Sequence, residues 1–340
     1  MSSIQETKEG RDISLKYKEA VAPYGADMER VEKDIQKHFQ SDVALIPQVS
    51  AYLAGSGGKR IRPILVTVAS RLCGYTGASR HIALSVVAEF IHAATLLHDD
   101  VVDDADQRRG MESANVRFGN CASVLVGDFL FAKSFMLMSQ DGDIRVINAM
   151  SEATKSLAEG EVLQLVNTLN LTITEEIYMD TIYRKTGALI EACCRVGAIL
   201  GGADRDKEEA LAKFGRNVGI AFQLVDDALD FVGDPQGWGK PIGADLEEGR
   251  VTLPLIRALA VADDTEASDI KAAMESGNGR EAKLAAVIMT LKKYDTIAYA
   301  MEQARWRVEE AKAAVSACFE PSSHLDTMRA IADYVVDRKI

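Results

Sequence analysis

Two clusters of aspartates are the side chains in this sequence whose type and spacing can do chemistry. Both have the pattern DDxxD, and they comprise Asp99, Asp100 and Asp103, and Asp226, Asp227 and Asp230. Residues three or four apart share one face of a helix, so the carboxylates of a cluster can converge on one object. Each cluster follows a strongly apolar segment, where uncompensated like charges are costly. Hard divalent cations offset such charges, and magnesium commonly adds phosphate oxygens as co-ligands. The pattern therefore predicts Mg²⁺ binding next to phosphate groups.

A solvated acidic helix end is the competing interpretation of such a motif. One DDxxD alone would not decide between a solvated end and a metal site. Two copies, each after an apolar helical run, favour cation binding because two uncompensated clusters would double the electrostatic cost.

Basic residues that can hold phosphates lie in four places along the chain. The Gly-rich segment Gly55–Pro63 carries Lys59, Arg60 and Arg62 ahead of a predicted helix. Glycines let a backbone approach a ligand closely, and a helix N-terminus favours anions. The P-loop pattern GxxxxGK[ST] is absent, because Arg60 follows Lys59. The other bases are Arg108, Arg109, Lys185 (beside Thr186) and Lys240. Each base alone is most simply a solvated surface charge, but together with the two acidic motifs they predict a metal–phosphate site.

The elements that must position these residues are predicted to be helices. No proline lies between Pro63 and Pro235, and apolar residues recur there at helical spacing. The predicted helices span Ile82–Leu97, Cys121–Met138, Ile144–Leu169, Thr174–Leu200, Glu208–Val232, Pro254–Val261, Lys283–Tyr294, Ala298–Cys318 and Leu325–Arg338. The polar stretch Asp263–Arg280 is predicted to be a surface connection. We therefore expect an all-α fold in which residues 1–340 form a single domain, with residues 1–25 as a flexible N-terminal segment.

Composition and charge exclude several classes of protein. A content of 47% hydrophobic and 26% charged residues excludes a disordered or collagen-like chain. The formal net charge of −12 argues against nucleic acid as a partner and against polybasic membrane-surface binding. We see no run of roughly 18 apolar residues and no signal-peptide core, so we expect no transmembrane segment and a cytoplasmic location. The five scattered cysteines contain no CxxC pair and are expected to be reduced thiols.

Six motifs between Asp42 and the C-terminus carry a resemblance to a known family. In chain order they are GGKRIRP, LLHDDVVDDADQRRG, GDFLFAKSF, KTGALIEACC, FQLVDDALDF and GKPIGADLEEGRVTLPLI. In this combination the sequence resembles the trans-isoprenyl diphosphate synthases (polyprenyl synthetase family), and in particular their long-chain, octaprenyl-forming members. The resemblance implies a single helical bundle around a central cavity and a homodimer. It also implies Mg²⁺-dependent addition of isopentenyl diphosphate to an allylic diphosphate, which we expect to be farnesyl diphosphate.

The resemblance also implies roles for individual residues. All six motif aspartates would bind Mg²⁺. The isopentenyl diphosphate contacts would be Lys59, Arg62, His92 and Arg109. The allylic diphosphate contacts would be Arg108, Lys185, Thr186, Gln223 and Lys240. His92 lies seven residues before Asp99, on the same helical face, which favours ligand contact over a role as a core histidine. Arg250 stands where the family often has lysine, and the charge is kept.

Product length is expected to depend on the depth of the cavity beyond the first motif. Ala94 and Thr95 lie about one turn before that motif, and their small size favours a long product. By analogy with the family, Phe131, Phe135 and Met138 on the next helix would form a floor, although plain core packing explains each of them equally well. We expect an octaprenyl product; heptaprenyl and nonaprenyl products, and a shorter-chain geranylgeranyl or farnesyl diphosphate synthase, remain alternatives.

Three other functions are weighed against this one. A metal phosphohydrolase of the HD type would use His98 and Asp99 with upstream histidines, but it leaves the second DDxxD and GGKRIRP unexplained. A non-catalytic prenyl synthase subunit would typically lose motif acids, whereas all six are present. A terpene cyclase shares the metal chemistry but would not be expected to keep Lys59 and Arg62.

Overall fold

The computed structural model of the protein describes residues 8–55, 58–108, 110–232, 242–275 and 280–337. Within these ranges nearly all regular structure is helical. The helices of the first half are α1 (Lys8–Val21), α2 (Gly25–His38), α3 (Leu45–Gly55), α4 (Ile61–Leu72), α5 (Arg80–Val102), α6 (Ala114–Phe118), α7 (Asn120–Asp141) and α8 (Ile144–Val166). The later helices are α9 (Glu175–Ile182), α10 (Ala188–Leu200), α11 (Arg205–Leu229), α12 (Ala244–Glu247), α13 (Leu253–Leu259), α14 (Asp264–Glu275), α15 (Arg280–Lys293), α16 (Thr296–Cys318) and α17 (Ser323–Asp337). The all-α prediction is confirmed.

Two short segments depart from α-helix near the predicted site. A π-helical turn, Tyr183–Gly187, joins α9 to α10, and such turns are frequent at functional sites. A two-residue hairpin pairs β1 (Gln107–Arg108) with β2 (Met111–Glu112), in antiparallel register.

The main core is built where α4, α5, α10 and α11 pack together. Helix α5 is apolar on nearly all sides, and its residues from Ile82 to Ile91 are mostly buried, which is the pattern of a central bundle helix. Helix α7 covers one side of α5, and α16 packs along α11. A smaller apolar cluster joins α13, α14 and α15 around Leu255, Ile270 and Val287.

The prediction that the polar stretch forms a surface connection is partly wrong. Residues Asp264–Glu275 form helix α14, whose Ile270, Ala273 and Met274 are buried in the smaller cluster. Three apolar residues on one face were enough to fix this helix, because tertiary packing overrides a weak local pattern.

The N-terminal expectation is also corrected for the residues that are described. Helix α1 packs against α17, and Tyr17 is only 8% exposed. A short 3₁₀ turn, Ala22–Tyr24, leads into α2 and buries Tyr24. Residues 13–25 therefore belong to the packed structure, since burying these aromatic rings offsets the entropy of ordering the segment.

Two helices in the described ranges are long and apolar enough to cross a bilayer by length and composition alone. They are Arg80–Val102 and Asn120–Asp141, and 67% and 39% of their most apolar windows are buried within the chain. The central helix of a bundle meets the same criterion, so α5 is explained by its packing. Helix α7 retains an exposed apolar face.

Candidate active site

One cavity of about 810 Å³ gathers most of the predicted site residues. Its walls come from α5, α8, α9, the π turn and α11, with the segment before α4 and the segment after α12 at its edge. Of the predicted residues, those that line it are Lys59, Arg62, His92, Thr95, Asp99, Asp103, Arg108, Lys185, Thr186, Gln223, Asp226 and Asp227. Arg109 and Lys240 lie outside the described residues.

The first aspartate motif ends helix α5. Asp103 is the C-cap, and its backbone N–H donates to the Asp99 carbonyl at 2.8 Å. His92, Thr95, Asp99 and Asp103 recur at helical spacing on the side of α5 that faces the cavity. Asp100 lies on another side, is 1% exposed, and accepts a bond from Arg108 Nε at 2.6 Å. The expectation that every aspartate of this motif faces a metal therefore does not hold for Asp100, whose charge is taken up by Arg108.

The second motif ends helix α11. Asp226 and Asp227 line the cavity. Asp230 instead accepts the backbone N–H groups of Ala244 and Asp245, both at 3.1 Å. Asp230 thus stabilises the start of α12, and it is not among the described residues of the cavity wall. The structure brings four of the six motif aspartates to one space.

Burial makes ionisation of two cavity carboxylates costly. Burial, with the nearby Glu161, raises the pKa of Asp99 to about 7. Burial, with the charge of Asp245, raises the pKa of Asp227 to about 8. Both motifs also lie at helix C-termini, where the helix dipole disfavours anions. The electrostatics therefore favour a bound cation.

Divalent cations with oxygen ligands fit this donor set. No three His, Cys, Asp or Glu side chains in the described ranges come together closely enough to bind a metal ion by themselves. Such a partial cage suits Mg²⁺, which usually binds one or two carboxylates and completes its shell with water and phosphate.

A chain of hydrogen bonds holds Asp227 in place. Tyr178 Oη donates to Asp227 Oδ2 at 2.7 Å, and Gln223 Nε2 donates to Asp227 Oδ1 at 2.7 Å. Thr186 Oγ1 donates to Gln223 Oε1 at 3.0 Å. The predicted residues Thr186, Gln223 and Asp227 are therefore one network, and Tyr178 is a member that the sequence analysis missed.

The π turn carries Lys185, whose ammonium group contacts helix α8. Lys185 Nζ lies 2.9 Å from Glu161 Oε2 and 3.0 Å from Gln164 Oε1, both on α8. Gly160 allows this contact, because a Cβ there would lie 2.8 Å from the backbone nitrogen of Lys185. Glu161 and Gln164 are cavity residues that no sequence motif marked.

The segment before α4 is fixed by Arg60. Its backbone is left-handed, with φ 47°, immediately before the helix begins at Ile61. Its guanidinium pairs with Glu32 of α2 and with Glu89 of α5, the latter at 2.7 Å. These contacts hold Lys59 and Arg62 at the cavity, so Arg60 organises the basic segment rather than adding another isolated charge.

Arg250 is the cavity residue whose importance the sequence analysis underrated. Its guanidinium contacts Asp103 Oδ2 at 2.7 Å and Asp245 Oδ1 at 3.4 Å, and it also pairs with Glu248. Asp103 ends α5 and Arg250 follows α12, so this pair joins the two motif regions. Three carboxylates share the charge of one arginine that is mostly buried.

Arg250→Met should lower the free energy of unfolding by about 3 kcal/mol in chelator, because it leaves three carboxylates without their counterion. Excess Mg²⁺ should restore part of that stability, since a cation bound by Asp103 replaces the lost charge. Urea denaturation with EDTA and with Mg²⁺ measures both effects. Lys213→Gln, which removes an exposed pair with Glu310, should change stability by less than about 1 kcal/mol in either condition. Equal losses for Arg250→Met with and without Mg²⁺ would contradict this account.

The predicted chain-length residues fall in different places. Thr95 lines the cavity, and its hydroxyl donates to the His92 carbonyl at 2.8 Å. Ala94 is fully buried and is not part of the described wall, where Ala93 stands instead. Phe131 packs near the His98 ring, 5.7 Å between centroids. Phe135 is 46% exposed. Neither Phe131 nor Phe135 is among the described residues that line the cavity.

A different pair of rings lines the apolar part of the cavity. Phe39 and Phe90 stack with centroids 5.4 Å apart and both contribute to the wall. Phe90 precedes Asp99 by nine residues, so the wall extends about 14 Å along α5 from the acidic end. The space is polar where the two motifs meet and apolar beyond.

His98 packs against helix α7. Its Nε2 lies 3.1 Å from the Val124 carbonyl and 3.5 Å from Asp128 of α7. A Cβ on Gly127 would lie 2.3 Å from the same nitrogen, so the glycine is needed for this close packing. His81 is fully buried beside Asp27 at 3.2 Å. Neither histidine is among the described residues of the cavity, which removes the donor set of an HD-type site.

Comparison with known proteins agrees with this arrangement. Residues 43–291 match the polyprenyl synthetase family model. The octaprenyl diphosphate synthase of Escherichia coli K12 is 45% identical over 289 residues, which cover 85% of this chain and 89% of that protein. The Haemophilus influenzae octaprenyl diphosphate synthase is 42% identical, with 92% and 94% coverage.

Solved structures give the same relationship. A decaprenyl diphosphate synthase from Rhodobacter capsulatus superposes with TM-score 0.89 at 41% identity, covering 95% of this chain and 99% of its own. A polyprenyl synthase from Caulobacter crescentus CB15, complexed with calcium and isoprenyl diphosphate, gives TM-score 0.91 at 37% identity, with 95% and 98% coverage. The chain therefore belongs to the polyprenyl synthetase family and is a prenyltransferase.

Proposed function

We propose that this enzyme adds isopentenyl diphosphate repeatedly to an allylic diphosphate primer, farnesyl diphosphate, and releases octaprenyl diphosphate. The observation that supports this proposal is a cavity that has acidic and basic residues at one end and an apolar wall beyond them. Four motif aspartates and the basic residues share its polar end, and Phe39 and Phe90 lie in its apolar part. The octaprenyl-forming relatives favour a long product.

The proposed metal ligands are Asp99 and Asp103 on one side of the cavity and Asp226 and Asp227 on the other. When bound, Mg²⁺ supplies positive charge to the diphosphate leaving group of the allylic substrate. Lys185 and Arg108 hold the same diphosphate from opposite walls, and Thr186 and Gln223 orient it through the network around Asp227. These fixed charges and dipoles favour ionisation of the allylic carbon–oxygen bond because they need no reorganisation.

The second substrate is proposed to bind at the basic segment before α4. Lys59, Arg62 and His92 would contact the diphosphate of isopentenyl diphosphate, whose double bond then attacks the allylic carbon. Loss of a proton, which we assign to the departing diphosphate, completes the step. The residues of this chain bind, orient and exclude water, and none is needed as a nucleophile.

Incorporation of labelled isopentenyl diphosphate tests this function. The account predicts apolar, extractable product only when isopentenyl diphosphate, farnesyl diphosphate and Mg²⁺ are all present. Phosphate release from nucleotides without incorporation would support a phosphohydrolase instead. No incorporation under any primer would support the non-catalytic subunit.

Thr95→Phe should shorten the product, because a phenyl ring on the cavity side of α5 blocks the path from Asp99 toward Phe90. Ala94→Phe is a poorer test, since Ala94 is fully buried and overpacking there costs about 1–3 kcal/mol. Mass spectrometry of products made from farnesyl diphosphate gives the chain length. Thr172→Phe, at an exposed position, should leave the product distribution unchanged. An unchanged distribution for Thr95→Phe would refute the proposed path.

We also propose that two copies of the chain associate through α7. Leu125, Phe135 and Met136 are 66%, 46% and 40% exposed on one face of this helix, and an apolar face of this kind is typical of an interface. Light scattering should give a dimer mass, and Leu125→Asp should lower it toward that of a monomer. A monomer mass for the unsubstituted protein would rule out this association.

A further inference from the structure

Two stacked tyrosines join the N-terminal and C-terminal helices beside the cavity. Tyr17 of α1 and Tyr334 of α17 stack with centroids 4.1 Å apart and an interplanar angle of 17°. Each ring is 8% exposed, and α1 packs along α17. Val335, the next residue after Tyr334, lines the cavity. The stack is therefore a rigid element directly behind the cavity wall.

The ammonium group of Lys59 contacts this stack. Lys59 Nζ lies 4.7 Å from the centroid of the Tyr334 ring, within the range of a cation–π interaction. Lys59 is exposed and lines the cavity, on the segment immediately before α4. A lysine side chain has four rotatable bonds and loses much conformational entropy when it is held in one position. A ring that restricts Lys59 before substrate arrives lowers that loss on binding.

We propose that Tyr334, held by its stack with Tyr17, is a positioning residue that keeps Lys59 in place to contact the substrate diphosphate. Helix α1 then contributes to substrate binding, because its Tyr17 supports Tyr334. The proposal rests on the proposed function, in which Lys59 contacts isopentenyl diphosphate. Plain core packing of the two tyrosines is the alternative, and it predicts effects on stability without a selective effect on one substrate.

Steady-state kinetics of Tyr334 variants separate these interpretations. Tyr334→Leu removes the aromatic face and should raise KM for isopentenyl diphosphate about threefold, with kcat and KM for farnesyl diphosphate within about twofold of the unsubstituted enzyme. Tyr334→Phe keeps the ring and should restore KM to the unsubstituted value. Equal KM values for Tyr334→Leu and Tyr334→Phe would overturn the proposal, as would a rise in both substrates' KM values together.

Tyr24→Leu is the matched control. Tyr24 also ties the N-terminal region to α17, through its hydroxyl and His324 Nδ1 at 2.6 Å, and it is equally buried. Its loss should lower the melting temperature without a selective rise in KM for isopentenyl diphosphate. If Tyr334→Leu does not fold, Tyr17→Leu replaces it, because loss of the supporting ring should produce the same selective rise. A Tyr17→Leu enzyme with unchanged KM would overturn the proposal.

Lys59→Gln separates failure of this proposal from failure of the proposed function. If Lys59→Gln leaves KM for isopentenyl diphosphate unchanged, Lys59 is not a substrate contact and the positioning role falls, whereas the proposed function falls only if the unsubstituted enzyme fails to incorporate isopentenyl diphosphate. If Lys59→Gln raises KM and Tyr334→Leu does not, only the positioning role falls. The proposal predicts that Tyr334→Leu adds no further rise in the Lys59→Gln background, since both changes remove the same interaction.

Discussion

Asp99→Ala is expected to lower kcat by several orders of magnitude while the protein stays folded. Asp99 lines the cavity one helical turn from Asp103, and burial with Glu161 raises its pKa to about 7. This raised pKa means that the folded protein disfavours the ionised carboxylate, so its removal should not destabilise the chain much. Its loss removes a proposed metal ligand, and without the cation the charge of the leaving diphosphate is not neutralised.

Initial rates of isopentenyl diphosphate incorporation measure this effect, and far-ultraviolet circular dichroism checks that the helices remain. Asp206→Ala is a suitable control, because Asp206 is an exposed acid in the first turn of α11. It should leave kcat within about twofold. A folded Asp99→Ala enzyme with nearly unchanged kcat would remove Asp99 from the metal site.

Asp227→Ala is expected to have an effect of similar size from the opposite wall. Asp227 is 5% exposed and accepts hydrogen bonds from Tyr178 and Gln223. Its removal deletes a proposed metal ligand and also releases Gln223, which orients Thr186. Leaving the Tyr178 hydroxyl without its acceptor should cost about 1–3 kcal/mol of stability, which the fold can tolerate.

Tyr178→Phe separates the loss of the Asp227 carboxylate from the loss of a hydrogen bond that holds it in place. It keeps the Asp227 carboxylate and removes one hydrogen bond that holds it. We expect a loss of kcat of roughly tenfold to a hundredfold, as for other partners that orient metal ligands, and therefore a smaller loss than for Asp227→Ala. Equal kcat values in Asp227→Ala and the unsubstituted enzyme would contradict the assignment of the second motif.

Residue spacing predicted the parts of the site that lie on one helix. Helical periodicity alone places His92 and Asp99 on one face, because both positions are read from a single rigid element. It did not separate Asp100 and Asp230 from their neighbours. Their partners, Arg108 and the backbone N–H groups of residues 244 and 245, come from segments whose path the helix pattern does not specify.

Contacts between segments that are far apart in the sequence account for the other differences between the predicted and the observed site. Arg250 reaches Asp103 across 147 positions of sequence, and Tyr178 reaches Asp227 across 49. The exposure of Phe135 was not predicted, because the nearly uniform apolar pattern of α7 does not specify which of its faces packs against α5. Tyr17 and Tyr334 likewise meet only through the packing of the first and last described helices.

Product mass after reaction with farnesyl and isopentenyl diphosphates in the presence of Mg²⁺ tests the central claim most directly. The account predicts a long-chain all-trans diphosphate with octaprenyl as the main species, and no product when EDTA replaces Mg²⁺. Products that stop at farnesyl or geranylgeranyl length, or elongation that continues in EDTA, would contradict it.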